Sequence, residues 1–245
     1  MDIESAGQSV FLGMVKSLQY RWARRDSQRF VRWLRREGCR VGEGVEFHGL
    51  RHISIDTTRP SLVEIGNNVV FTRGCVLLTH GYDWFVLRNL RGEVLCSSGR
   101  VRVGNNVFLG VNCVLLPGVT IGDNVILGAG SIVTRDVPSN SVAVGNPARV
   151  LCSIEEYCEK RERESVEEAK EYARSIKENL RRDPVPTDFW EEFPLFLKAD
   201  ETLEGVPVKR QLGPSYEDYR RTHRPRYESF AAFLEDAGIK SGGDG

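Results

Sequence analysis

The chain has 245 residues, in which 34 Lys and Arg balance 34 Asp and Glu, so the formal net charge is zero. No apolar run approaches the length of a membrane-spanning helix, and no basic, apolar, cleavable leader opens the chain, so a cytoplasmic setting is expected. The six cysteines (Cys39, Cys75, Cys96, Cys113, Cys152, Cys158) show no C-x-x-C spacing, which fits a reducing compartment.

Charge divides the chain into three segments. Residues 1–40 carry 9 Lys/Arg against 4 Asp/Glu, residues 41–152 carry 9 against 8, and residues 153–245 carry 16 against 22. In the first, Val10, Phe11, Met14, Val15, Leu18 and Trp22 fall on one helical stripe, with Arg21, Arg24 and Arg25 at its end, where cations suit the helix dipole. A second helix over about Ser27 to Arg36 buries Phe30 and Leu34, and Gly38 stops it. These N-terminal amphipathic helices either cap whatever follows, lie on an anionic membrane surface, or pair with the acidic C-terminal segment. The cap is the preferred reading, and membrane contact is not expected.

From Val41 a six-residue register begins. Val41, Phe47, Ile53, Ile65, Phe71 and Leu77 share a phase that only Arg59 breaks, inside the irregular segment DTTRPS. The same period returns in VGNNVF LGVNCV LLPGVT IGDNVI LGAGSI VTRDVP SNSVAV, residues 103–144. Its first positions are aliphatic and its fifth small or β-branched, among them Cys113, with Cys75 matching in the earlier run. Positions one and five are an even number apart, so both face one side of an extended segment. The Gly-Asn pairs between them tolerate positive φ and make corners. A short strand and a corner every six residues make a solenoid. Fourteen blocks at three per turn give four to five turns. Between the two runs the phase slips, and residues 82–102 read as an excursion loop thrown out of the coil, opened by His80. Such insertions collect on a functional face.

The third segment, residues 153–245, reads as a helical and irregular extension. Val166, Ala169, Ala173, Ile176 and Leu180 form one apolar seam on a helix from Ile154 to Arg182, ended by Asp183-Pro184-Val185-Pro186. DFWEEFPLFL, residues 188–197, concentrates aromatics expected to pack on a neighbouring subunit. Residues 215–237 suggest one or two short helices, and the tail from Ser241 is expected to be mobile.

Four histidines offer a base near neutral pH. His48 and His52 are four apart but off any helix and without clustered Cys or carboxylates, so no metal site is expected. His223 lies in a charged stretch and reads as solvated. His80 stands out only by opening the excursion. Asp83 either orients it or forms a turn. GAGSIV lacks the glycine spacing of a nucleotide fingerprint, GDNVILG is not followed by Lys-Ser/Thr, and no spacing suggests nucleic acid.

The repeat resembles the hexapeptide-repeat acyltransferases, a family built on a left-handed parallel β-helix. The stretch Ile121 to Val150, IGDNVILGAGSIVTRDVPSNSVAVGNPARV, is similar to the end of that solenoid in maltose and galactoside O-acetyltransferases and related capsular polysaccharide enzymes. The expected fold is therefore mainly β: a left-handed parallel β-helix over 41–152, with N-terminal helices and a helical extension. The resemblance implies an acetyl-CoA-dependent O-acetyltransferase acting on a sugar or polysaccharide-precursor hydroxyl, with His80 as general base and a homotrimer whose sites form between chains. It implies that Phe108, Val111, Ala129, Thr134, Arg135 and Arg149 meet the donor. Val111 would offer its N–H to the oxyanion and Ala129 would allow close approach of the pantetheine arm. Phe108 replaces the usual Trp, Arg135 replaces a Lys that meets a coenzyme phosphate, and Arg149 would stand in for the basic contact that Cys152 lacks. An antibiotic acetyltransferase of the same fold and a non-catalytic scaffold binding a partner through its extension are the competing readings.

Overall fold

The computed structural model describes residues 18–239, so the apolar stripe over residues 10–17 and the tail from Ser241 lie outside the described residues. The chain forms two compact units, Met1–Tyr157 and Cys158–Gly245. In the first, helix α1 (Ser27–Glu37) is capped by Asp26, whose carboxylate accepts from Arg29 N at 2.8 Å, and stops at Gly38 with φ 106°. It buries Phe30 and Leu34 as the pattern requires, and also Val31 and Trp33. Phe30 stands edge-on to Phe47 at 5.0 Å, and Phe47 stacks on Phe71 at 5.0 Å, so the helix closes the first end of an apolar column. Leu18 and Trp22, on the expected stripe, are instead exposed, while Tyr20 and Ala23 turn to the core.

The column is a parallel β-helix. Coil one is β1 (Arg40–Val41), β2 (Glu46–Phe47) and β3 (Ser54–Ile55). Coil two is β4 (Val63–Ile65), β5 (Val69–Phe71) and β6 (Val76–Leu77), followed by helix α2 (Trp84–Arg91) inside the excursion, which the sequence pattern did not reveal. Coil three is β7 (Val101–Val103), β8 (Val107–Leu109) and β9 (Val114–Leu115), and coil four is β10 (Thr120–Ile121), β11 (Val125–Leu127) and β12 (Ile132–Val133). A partial fifth coil adds β13 (Ser141–Val144), closed by antiparallel β14 (Arg149–Ser153). The strands form three faces in the orders β1-β4-β7-β10, β2-β5-β8-β11-β13-β14 and β3-β6-β9-β12. Register stacks like on like: Phe47, Phe71, Leu109, Leu127 and Ala143 share one inward row. Each fully buried Leu of such a row contributes roughly 1.5–3 kcal/mol of transfer free energy. Cys75 and Cys113 belong to an inward row as expected, their thiols donating to Gly110 O and Gly128 O at 3.3 and 3.2 Å.

One phase assignment is corrected. Ile55, not Ile53, pairs with Leu77, because the turn Leu50–His52 adds two residues to the corner before β3. Both isoleucines are buried, so hydropathy alone could not separate them. The corners after the first face are held by Asn68, Asn106, Asn124 and Asn140, with φ of 53–58°. Asn106 Nδ2 donates to Asn124 Oδ1 at 2.9 Å, and Asn124 Nδ2 to Asn140 Oδ1 at 2.8 Å, so side chains repeat the ladder of the backbone.

Helix α3 (Ile154–Leu180), which belongs to the second unit from Cys158 on, buries Val166, Ala169, Ala173 and Ile176 and leaves Leu180 exposed. Short helices α4 (Val208–Leu212), α5 (Tyr216–Thr222) and α6 (Phe230–Asp236) follow. Phe189, Phe193, Phe196 and Leu197 are buried here against Phe233 and Leu234, so the aromatic stretch closes this unit's own core rather than waiting for a subunit, and only Trp190 remains half exposed.

Candidate active site

The excursion leaves the coil after β6 and is pinched at its neck. Leu78 N donates to Leu115 O at 3.0 Å and Gly99 N to Thr79 O at 2.9 Å, while His80 bridges Ser98. His80 is therefore fixed to the rigid coil even though a long loop follows it. Its Nδ1 lies 2.6 Å from Asp56 Oδ2, and the two side chains are 12 % and 7 % exposed. Thr79 N and Oγ1 donate to the same oxygen at 3.0 and 2.5 Å. Thr58 N and Oγ1 donate to Oδ1 at 3.0 and 2.7 Å. Burial alone would push the Asp56 carboxyl up, but these donors from Thr79 and Thr58 outweigh it and hold the group well below the usual carboxylate range. An ionised Asp56 only accepts, so Nδ1 of His80 carries a proton and Nε2 is the basic nitrogen. The Tyr82 ring stands edge-on to the imidazole at 4.9 Å.

Asp83 does not orient His80. It sits at the start of α2 and accepts from Ser97 Oγ at 3.0 Å. The partner that sequence reading missed, Asp56, comes from DTTRPS, and its one signal was that the six-residue phase breaks there. His223 is not solvated either: it stacks on Tyr219 at 4.1 Å with Nε2 buried, and burial lowers its pKa.

The other site candidates lie elsewhere on the coil. Phe108 points outward from β8 on the second face and is 43 % exposed, beside a groove of about 280 Å³ also lined by Val70, Ile126 and Ile154. Val111 and Ala129 occupy the corner between the second and third faces, one coil apart, with Gly130 N donating to Val111 O at 2.7 Å. A Cβ at Gly110 would fall 2.6 Å from Ala129 N, so glycine permits this close stacking. Among the described residues the N–H groups of Val111 and Ala129 donate to no protein acceptor. Thr134 and Arg135 follow β12, at the corner between third and first faces that also carries His80 two coils away, and both are exposed. Arg149, on β14, is exposed and reaches Ala148 O. Within one chain, therefore, His80 and the Val111–Ala129 corner stand on opposite edges of the third face.

Residues 100–135 match the bacterial transferase hexapeptide family (six repeats). The chain is 39% identical over 128 residues to protein CapG of Staphylococcus aureus, covering 51% of this chain and 71% of that one. It is 46% identical over 92 residues to galactoside O-acetyltransferase of Escherichia coli K12, covering 38% of this chain and 44% of that enzyme. A solved maltose O-acetyltransferase from Clostridium difficile 630 is 29% identical, with 49% and 72% of the two chains covered and a TM-score of 0.35.

Proposed function

Because the chain belongs to the bacterial hexapeptide-repeat transferase family, whose coil is left-handed, we propose that it is an acetyl-CoA-dependent O-acetyltransferase acting on a sugar or polysaccharide-precursor hydroxyl. The observation that carries this reading is the Asp56–His80 pair at the neck of the excursion. Nε2 of His80 takes the proton of the acceptor hydroxyl as its oxygen attacks the thioester carbon. The N–H of Val111 receives the developing oxyanion. The intermediate collapses with release of the coenzyme thiolate, which regains the proton from the His80 imidazolium, while Asp56 stabilises that cation throughout.

His80 and Val111 serve one reaction only if they come from two chains, so the reading needs a multimer, taken here as the homotrimer that the family resemblance implies. Phe108 then supplies an apolar wall, Ala129 and Thr134 let the pantetheine arm approach, and Arg135 and Arg149 meet its phosphates. Among the described residues no helix is long and apolar enough to cross a membrane, and a cytoplasmic setting agrees with acetyl-CoA as donor. Titration calorimetry with acetyl-CoA, alongside the mass in solution, tests the proposal. Micromolar binding to a trimer, with turnover abolished in His80→Ala while binding persists, is the expected result. A well-folded trimer that ignores acetyl-CoA, or a His80→Ala protein with full activity, overturns it.

A further inference from the structure

The first face of the coil carries a column of charge that the reaction above does not use. Register places Arg40, Glu64 and Arg102 directly over one another on β1, β4 and β7, all pointing outward. Arg100, just before β7, joins them. Glu64 pairs with Arg40 and with Arg100, and accepts from Arg102 Nε at 3.1 Å. Arg100 also donates to Ser61 O at 3.2 Å. Burial would push the Glu64 carboxyl up, but Arg100 and Arg102 hold it below its ordinary value. One carboxylate faces three guanidiniums, each with five N–H donors, so the column keeps two surplus positive charges and unused donors. Arg40, Glu64 and Arg102 border a groove of about 460 Å³ on that face, and Arg100 reaches it through Glu64. Its opposite end holds Asp123, whose Oδ1 is taken by Asn105 N and Nδ2 at 2.6 and 3.0 Å.

The column adjoins the base. Ser98 bridges His80, and Arg100 lies two residues further on the same strand entry. An extended chain advances about 3.3–3.6 Å per residue, so the Arg100 backbone lies about 7 Å along the chain from the residue paired with His80. We propose that Arg40, Arg100 and Arg102 form a subsite for an acidic sugar of the acceptor, binding its carboxylate or phosphate while a neighbouring hydroxyl is presented to His80. Planar guanidiniums match such oxyanions with paired hydrogen bonds. Glu64 preorganises the three and competes with the ligand for them. This rests on the transferase reading for its role, but the anion site stands on its own geometry.

The test is direct binding, with trigalacturonate as the acidic probe, maltotriose as the neutral one, and adenosine bisphosphate as the phosphorylated head of the donor. Trigalacturonate should bind more tightly than maltotriose and weaken between about 50 and 200 mM salt. Arg102→Gln should raise its Kd about tenfold or more. Glu64→Gln, which removes the internal competitor, should lower it several-fold, an opposite sign that misfolding would not produce. Equal binding of the two oligosaccharides, or a trigalacturonate Kd unmoved by Arg102→Gln, overturns the subsite. So does a loss in Arg102→Gln confined to adenosine bisphosphate, which would give the column to the donor. Acetyl-CoA is titrated in parallel. If it binds while trigalacturonate does not, the subsite fails and the transferase reading survives. If trigalacturonate behaves as expected and acetyl-CoA does not bind, the transferase reading fails and the anion site stands.

Discussion

Replacing Asp56 by Asn tests the centre of the mechanism with almost no change of volume. The carboxylate gathers four donor groups from Thr58 and Thr79 besides His80 Nδ1 at 2.6 Å. A carboxamide has one acceptor oxygen and a donor NH2. If its oxygen faces His80, the NH2 meets the N–H and O–H of threonine; if its NH2 faces His80, the imidazole is forced to carry its proton on Nε2. In both cases the imidazolium loses its counter-charge, and in the second Nε2 is also no longer the base. The expected loss is about 10²- to 10⁴-fold in kcat/KM, about 3–5 kcal/mol of transition-state stabilisation. The assay is release of coenzyme thiol from acetyl-CoA with the best acceptor of a sugar screen. Acetyl-CoA binding should persist, since Asp56 lies on another edge of the coil from Val111 and Ala129. A second readout follows from linkage. The Asp56 carboxyl sits below its ordinary value in the folded state, so its stabilisation is fully present above about pH 4 and is lost as pH falls below that. Asp56→Asn should flatten that acid limb of the unfolding curve. A variant within threefold of wild type, with the same acid limb, would refute the role of Asp56.

Thr79→Val keeps the shape of a fully buried side chain but removes the O–H that reaches Asp56 at 2.5 Å; urea denaturation should show a loss of about 1–2 kcal/mol and acid unfolding should begin at higher pH. Asn124→Gly keeps the left-handed corner and loses both side-chain ladder bonds, whereas Asn124→Ala also strains φ of 55°, so the alanine variant should melt below the glycine variant by about 1–2 kcal/mol. Burial lowers the His223 pKa, so the unfolded chain takes up its proton first and the stability of the C-terminal unit should fall as pH drops below about 6.5; His223→Gln should remove that slope in a pH series of thermal melts. His80→Ala and Ala129→Trp should each be inactive alone, yet a one-to-one mixture refolded together should regain about a quarter of wild-type turnover, the fraction of interfaces with both residues intact. Mixed trimers, verified by mass, that stay inactive would place the whole site within one chain.

What was legible in the sequence follows from where the physics is periodic. Stacked coils bury the same positions again and again, so Phe71, Leu109 and Leu127 announce themselves by spacing, and so do the asparagine corners. Helix α2 was hidden because none of its residues is buried, so it has no core-facing stripe to display. The aromatics of residues 188–197 were legible as needing cover, but composition does not say whose surface covers them, and Phe233 of the same unit does. Asp56 was invisible for another reason: its partner lies 24 residues away across two corners, and only the pairing register brings them together.

That register also explains why the candidate site is where it is. A regular corner can lend backbone N–H groups but has no side chains to spare for a base, since its inward residues are committed to the core and its outward ones repeat from coil to coil. At the corner between third and first faces, Leu115 to Ile121 spans the regular six residues. The equivalent span is ten from Ile55 to Ile65, and twenty-six from Leu77 to Val103. Both breaks fall at one corner of adjacent coils. The first supplies Asp56 and Thr58, the second Thr79 and His80, and stacking sets them against each other. The excursion beyond the Thr79–Gly99 neck is not needed to hold this pair, because among the described residues every side-chain bond to Asp56 comes from residues before Gly81. The dyad is therefore a property of two coincident interruptions in the repeat, and the long loop is free to serve the acceptor.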